Sequence, residues 1–455
     1  MPPGPPLPRW LQTLGFLLGG PRFIDACRRR YGGALTFRTL FDGGFVMLLE
    51  PALVKQLFQG SGDALHAGEA NALLGPILGR RSVLLLDGDE HLRHRRLLLP
   101  SFHGRQLDAL ADVVVRAADT EIDAWPVGRP FALLPSMQSL TLRVILQAVF
   151  GYEPGPAATE LGERLRDYVA PLAEPRSPSM LVTVARNRRA GRHPLAAVTE
   201  RRDRVDQLLF AEIARRRALG DGALERRDDV FSALLLARDE DGTRLSDEEV
   251  RDELLTLLLA GHETTATALA WTFDLLLHAP AVLARATELD EAYLDAVAKE
   301  SLRLRPVIPA VGRVVSGAPF ALGEWLIPPG IEINPSIRGI HRRPDLYPEP
   351  GAFRPERFLG ESPPDTYTWI PFGGGTRRCL GASFALMEMR LVLRRVLERS
   401  RLRAAVDELD RAQLRMITLA PKRGVRVVLE GRRAVGSGAC SSTTAPSRET
   451  ATRSA

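Results

Sequence analysis

The sequence predicts a mainly α-helical fold with a small β portion, and three observations carry that prediction. The capping box Ser246-Asp247-Glu248-Glu249 opens a helical run that only Pro280 stops, a helix of about 32 residues and about 48 Å that must cross the whole molecule. Helical periodicity recurs along the chain, whereas strand signals are confined to short apolar runs such as Leu35 to Arg38 and Phe45 to Leu49, separated by the hairpin signal Asp42-Gly43-Gly44. Lastly, the glycine-rich turn Phe372-Gly373-Gly374-Gly375-Thr376-Arg377-Arg378-Cys379-Leu380-Gly381 holds one cysteine and leads directly into a strong helical run from Ala382 to Arg399.

In chain order, Pro2 to Pro8 is proline-rich and reads as extended, part of an N-terminal strap over residues 1–20. Arg22 to Tyr31 reads as a helix stopped by Gly32-Gly33, and Pro51 opens another through Phe58. An irregular stretch from Gly60 to Asp89 contains the apolar run Val83 to Leu86. The next helix starts at His91, which shares a face with Arg95 four residues on, so both can reach an anion. Further helices are expected from Leu107 to Trp125, Leu140 to Phe150 and Ala196 to Arg217. Within the long helix, Leu254 to Ala260 is apolar all round except Thr256 and is expected to be buried. Ala260-Gly261-His262-Glu263-Thr264-Thr265 then places a glycine, an acid and two hydroxyls there, an inconsistency of the kind functional sites show. The structural alternative is Thr264 bonded back to the Ala260 carbonyl and Glu263 paired with an arginine. Glu300 and Arg303 share one face of a later helix, and Val307 to Val315 reads as a strand.

With 455 residues and no linker between Pro21 and Arg432, residues 21–432 read as one large domain, followed by a Ser/Thr/Ala/Gly-rich tail, 433–455, expected to be disordered. A hydrophobic fraction of 45% suffices for a core that encloses a cofactor. The net charge of +6 does not indicate nucleic acid: the basic residues are nearly all arginine, spread among 55 acids as solvated helix faces. Cys27, Cys379 and Cys440 have no C-x-x-C spacing, which argues against zinc, an iron–sulfur cluster or a disulfide framework and for a reducing cytoplasm. The apolar run Trp10 to Gly20 is too short to span a bilayer, so a cytoplasmic monomer without a membrane anchor is expected.

Consecutive glycines let the main chain lie close to a flat ligand, and a helix start favours a thiolate, so Cys379 reads as a metal ligand rather than a buried structural cysteine. Phe372, Gly375, Arg377, Cys379 and Gly381 resemble, position for position, the haem-binding signature F-x-x-G-x-R-x-C-x-G of the cytochromes P-450. From Pro21 to Arg432 the family's other landmarks follow in order: [A/G]-G-x-[D/E]-T-T at Ala260 to Thr265, and a structural Glu, Arg, Arg triad at Glu300, Arg303 and Arg357.

The resemblance implies a cytochrome P-450 fold, with a long central I helix and haem b (iron protoporphyrin IX) between it and the L helix after Cys379. Cys379 would be the metal ligand, with Ala260, Gly261, Phe372, Gly373, Arg377 and Gly381 around the cofactor and His91, Arg95, Arg313 and Arg377 on its propionates. Glu263 and Thr264 would be the catalytic pair that delivers protons. The activity implied is monooxygenation, with dioxygen, of a mostly apolar small molecule of secondary metabolism: a terpenoid, steroid, fatty acid or polyketide. Its walls would be Val83 to Leu86, Leu257 to Ala260, Val307 to Val311 and Ile417, closed by the 60–89 region and a mobile lid at Gly155 to Leu195. No G-x-G-x-x-G follows a strand, so electrons are expected from a ferredoxin or flavodoxin with an NAD(P)H-dependent reductase. Arg93, Arg96, Arg378, Arg390, Arg394 and Arg395 would dock it. A peroxide-driven peroxygenase and a non-catalytic haem sensor are the alternatives; neither needs the Glu263-Thr264 pair.

Overall fold

The computed structural model describes residues 1–40, 44–102, 105–151, 160–165, 167–168, 196–361 and 363–433. Most of the expected lid, and the expected disordered tail with Cys440, lie outside these residues. The main helices are α1 (Arg9–Leu14), α2 (Pro21–Tyr31), α3 (Pro51–Phe58), α4 (Gly88–Leu98), α5 (Arg105–Ala124), α6 (Leu133–Phe150), α7 (Ala196–Ala218), α8 (Val230–Leu236), α9 (Asp247–Leu277), α10 (Glu291–Leu304), α11 (Ile337–Ile340) and α12 (Ala382–Arg399). The strands are β1 (Ala34–Phe37), β2 (Phe45–Leu48), β3 (Leu65–His66), β4 (Pro130–Ala132), β5 (Arg313–Val315), β6 (Phe320–Leu322), β7 (Trp325–Ile327), β8 (Glu332–Pro335), β9 (Ser400–Ala404), β10 (Ala412–Arg415), β11 (Thr418–Pro421) and β12 (Arg426–Arg432).

The central helix α9 runs for 31 residues because both of its ends are specified locally. Ser246 Oγ accepts the Glu249 N–H at 3.2 Å and Glu249 Oε2 accepts the Ser246 N–H at 2.7 Å, which completes the capping box. At the other end the chain bends by 113° into the short helix Pro280–Ala286. The apolar faces of α5, α6, α10 and α12 close on the second half of α9 around Leu140, Leu269, Phe273, Val297 and Val392. A second cluster, with Leu146, Leu209, Phe231 and Leu255, packs its first half against α6, α7 and α8. Helix α6 is long and apolar enough to cross a membrane, yet 67% of it is buried inside this packing.

The β portion is a five-stranded sheet in the order β1-β2-β8-β5-β3, antiparallel except for β2 against β8, with smaller sheets β4-β12-β9, β6-β7 and β10-β11. Three expectations need correction. Residues 1–8 are extended, and Pro2 and Pro3 carbonyls accept from Thr36 on β1, but the rest of the 1–20 strap is helical, α1 running into a π-helical turn at Gly15–Gly19. Phe16 explains this: coiling the chain sets its ring edge-to-face against Phe37, with centroids 4.7 Å apart, and against Phe23 at 5.6 Å. Secondly, only Arg313–Val315 of the expected 307–315 strand is a strand; Pro306 and Pro309 lack the N–H a ladder needs. Thirdly, burial along 254–260 holds through Leu258, but Ala260 is exposed.

Candidate functional site

The loop bearing Cys379 is closed by its own backbone. The Cys379 N–H donates to Phe372 O at 3.0 Å, Arg378 N–H to Gly375 O and Gly373 N–H to Ile370 O, both at 3.1 Å. Gly373 and Gly375 adopt φ of 66° and 65°, which a side chain resists. A second requirement acts beside it: a Cβ on Gly374 or Gly375 would meet the Phe58 ring or carbonyl of α3 at about 2 Å, so these two glycines also let the loop pack against α3. Gly381 differs, because nothing lies within 4 Å of its missing Cβ.

Cys379 is exposed, yet burial pushes its thiol pKa up, so the residue sits in a cleft with protein around it rather than on a convex surface. The Gly381 N–H, Arg95 and Arg378 act in the opposite direction without prevailing. The helix-start N–H of Gly381 favours thiolate as expected, but in the protein by itself burial outweighs it; coordination to a metal would displace the proton.

A cluster of positive charge flanks the cleft. His91 is buried on α4, and burial together with Arg377, Arg95 and Arg313 lowers its pKa to about 3, so it is a neutral imidazole among three guanidinium groups. Arg95 Nη1 donates to Arg378 O at 2.8 Å. Arg377 bonds Leu86 O at 2.6 Å, Val83 O at 3.2 Å and Asp87 Oδ1 at 2.5 Å. Arg313 is only 7% exposed, bonds Gly312 O at 2.7 Å and makes no ion pair among the described residues; burial and Arg377 bring its pKa down to about 10. Three guanidinium groups against Asp87 alone leave an excess of charge that suits a dianion such as a pair of propionates.

On α9, a Cβ on Gly261 would lie 2.8 Å from Ile145 Cδ1 of α6, and that side chain would have to give way. Thr264 Oγ1 donates back to Ala260 O at 2.5 Å, the structural alternative realised. Among the described residues Glu263 makes no ion pair with an arginine, Arg415 acting on it only from a distance. Its Oε2 accepts the Gln138 amide at 2.7 Å, its Oε1 is buried without a partner among the described residues, and burial raises its pKa. His262 meets Thr141 Oγ1 at 2.9 Å. Gln138 and Thr141 were missed from sequence; nothing set them apart from the other polar residues of α6, Ser136, Ser139, Arg143 and Gln147.

Behind the loop, Arg303 forms a fork with Glu300 at 2.7 and 2.8 Å, both fully buried, and Arg357 reaches the same carboxylate at 3.3 Å. His341 Nε2 accepts the Ile370 N–H at 2.9 Å, which ties this triad to the start of the cysteine loop. The 60–89 stretch is less irregular than expected because α9 holds it: Asp252 accepts Arg81 N–H at 2.7 Å, Glu253 accepts Val83 N–H at 2.8 Å, and Thr256 Oγ1 donates to Ser82 Oγ at 2.7 Å. At the β10–β11 turn, Met416 rather than Ile417 packs with the apolar cluster of Leu257; Ile417 is 40% exposed.

Open wall at Ala260 and Gly381, a cysteine in the cleft and an uncompensated cation cluster all fit haem b, and the comparisons agree. The cytochrome P450 family model matches residues 2–426. Proteins of Mycobacterium bovis and Mycobacterium tuberculosis that carry the name cytochrome P450 135B1 are 39% identical over 445 residues, 96% of this chain and 92% of theirs. Cytochrome P450 137 of Mycobacterium tuberculosis is 40% identical over 440 residues, 94% of this chain and 90% of its own. Among solved structures, a retinoic acid-bound cyanobacterial CYP120A1 superposes with a TM-score of 0.76, at 24% identity over 94% of this chain and 98% of that one. The haem domain of cytochrome P450DA gives 0.77, at 24% identity over 95% and 98%. A glycine-turn cysteine, a cation cluster and the sequence likeness of nearly the whole chain lead to one conclusion: this chain belongs to the cytochrome P450 family of haem b monooxygenases.

Proposed function

We propose that the chain oxygenates a mostly apolar small molecule, with Cys379 as the residue that would bind the haem iron and Glu263 and Thr264 of α9 handling protons. The observation that carries this reading is Cys379 exposed in a cleft beside the charge cluster of His91, Arg95, Arg313 and Arg377. Haem, when bound, supplies the activation of dioxygen and accepts one electron at a time. Cys379 would donate charge to the metal, Arg95, Arg313 and Arg377 would neutralise the propionates with the neutral His91 as a hydrogen-bond donor beside them, and Phe372, Gly373 and Gly381 would shape the loop around the ligand. Glu263, whose raised pKa suits a group that both holds and releases a proton, would exchange protons with the cleft, and Thr264 would orient water there. Val83, Leu86, Leu257 and Met416 would exclude other water and favour an apolar secondary metabolite. Electrons would come from a ferredoxin or flavodoxin.

The test is spectroscopic. Reduced, carbon monoxide-bound protein is expected to show the red-shifted Soret band of thiolate ligation, Cys379→His to lose it together with turnover, and Cys27→Ser to keep both. A band of histidine ligation in the parent would sink the assignment. Turnover with dioxygen and reductant, compared with peroxide, separates a monooxygenase from a peroxygenase.

A further inference from the structure

The first helix is patterned backwards. The buried residues of α1 are polar, Gln12 and Thr13, whereas its large apolar side chains face solvent: Trp10 is 57% exposed, Leu14 is exposed as well, and Leu18 in the π-helical turn that follows is 80% exposed. These three recur every four residues, which sets them along one side of the coil. Burial of apolar area alone would favour the opposite rotation, with tryptophan and leucine inward and glutamine and threonine in water.

That rotation is locked by hydrogen bonds on the inner side. Gln12 Oε1 accepts the Arg38 N–H at 2.9 Å, and its Nε2 donates to Pro5 O at 3.2 Å and Leu7 O at 2.8 Å. Thr13 Oγ1 donates to Arg9 O at 2.8 Å and accepts the Leu40 N–H at 3.0 Å. The same bonds hold two more exposed leucines against the coil, Leu7 and Leu40, the latter 63% exposed. Charge surrounds this apolar surface. Residues 1–40 contain Arg9, Arg22, Arg28, Arg29, Arg30 and Arg38 and a single acid, Asp25. Arg9, Arg22, Arg29, Arg30 and Arg38 are exposed and make no ion pair among the described residues, in contrast to Arg390, Arg394 and Arg395, each of which is paired with an acid.

We propose that α1 and the turn after it make a reversible, peripheral contact with an anionic lipid surface. An apolar stripe bordered by unpaired guanidinium groups fits the boundary between headgroups and acyl chains: leucines enter the acyl layer, a tryptophan ring rests at headgroup level, and arginines extend along their apolar stems to the phosphates. Both halves of the surface are then satisfied by one partner. Leu14, Leu18 and Trp10 leave water, and the surplus positive charge of residues 1–40 meets the negative potential of the lipid. The coil lies in the surface and does not cross it, since Trp10 to Gly20 is too short to span a bilayer.

Sedimentation of the haem-loaded full chain with vesicles tests this. Binding to phosphatidylcholine vesicles that contain phosphatidylserine is expected to exceed binding to phosphatidylcholine alone by about tenfold or more, and to weaken as salt rises. Trp10→Ser with Leu18→Ser should weaken it by about tenfold, whereas Val127→Ser, an exposed apolar residue next to β4, should leave it unchanged. Arg22→Gln with Arg38→Gln should also weaken it by about tenfold. Arg401→Gln with Arg411→Gln removes the same charge from exposed positions on and before other strands and should cost far less. Brominated phosphatidylcholine mixed into the vesicles should quench tryptophan emission, and Trp10→Phe should abolish that quenching. No binding by the parent, or binding without quenching, overturns the proposal, and neither result depends on a variant's folding. Equal losses in the two arginine pairs would reduce the effect to adsorption of a basic protein and overturn it too. So would vesicle-independent self-association that Trp10→Ser with Leu18→Ser abolishes, because a second copy would then be what covers the stripe.

Discussion

Glu263 and Thr264 stand side by side on α9, yet the fold treats them differently. The Thr264 hydroxyl is spent on the Ala260 carbonyl, so Thr264→Ala removes one local bond without opening a core cavity, and folding should be retained. Reductant and dioxygen should still be consumed, with less product and more peroxide per reductant; unchanged coupling in the variant would return Thr264 to a structural role. Glu263 points to α6, where the Gln138 amide favours its charged form. Gln138→Leu deletes the donor that lowers the Glu263 pKa, so that pKa should rise further and the acid side of the pH–turnover profile should move to higher pH. A fall in melting temperature with an unmoved profile would mean that Gln138 only packs. The motif made Glu263 legible in the sequence; Gln138 was not, because its meaning arises only where α6 crosses α9, 125 residues away in the chain.

Helices α2, α3, α4, α9 and α12 were legible to within a few residues, since proline starts, glycine stops, a capping box and apolar periodicity all act locally. The 60–89 stretch was not legible, because its order is imposed from α9 by Asp252, Glu253 and Thr256. The same face of α9 holds α4. His94 is buried between Glu253 at 2.7 Å and Glu249 at 3.1 Å; burial opposes its charge, but the two carboxylates outweigh burial and raise its pKa above 6.5. A raised folded pKa means stabilisation that is complete below the unfolded value near 6.5 and lost as pH rises through the folded value. It also fades at acid pH once Glu253, itself pushed up by burial, takes a proton. His94→Gln keeps a donor without the charge, so it should cost about 2 kcal/mol near pH 6 and progressively less as pH climbs. Denaturant midpoints of parent and variant across that range decide the matter; a difference independent of pH would mean that His94 is held neutral.

Across the whole molecule, six arginines around the cysteine loop were expected to form a basic docking face for an acidic electron donor, but the fold already pairs most of them with its own acids. Arg93 pairs with Asp239 and Glu249, Arg96 with Glu240, Arg390 and Arg394 with Glu291, and Arg395 with Asp119 and Glu398. Of the six arginines expected to dock a partner, Arg378 alone makes no ion pair among the described residues, and it is exposed next to Cys379 in the loop. Neutral pairs cast little field beyond a Debye length of about 8 Å at physiological salt, so long-range steering toward this face should be weak. Reduction of the protein by an acidic ferredoxin should therefore slow only modestly, by about threefold rather than by orders of magnitude, between low and physiological salt. Arg378→Gln should slow it more than Arg394→Gln, because the second change leaves Glu291 still paired with Arg390. Rapid-mixing reduction rates at several salt concentrations measure both effects. A steep salt slope, with the two variants equal, would mean that the arginines exchange their own acids for the partner's when it docks, and that the face is more basic in the complex than in the free protein.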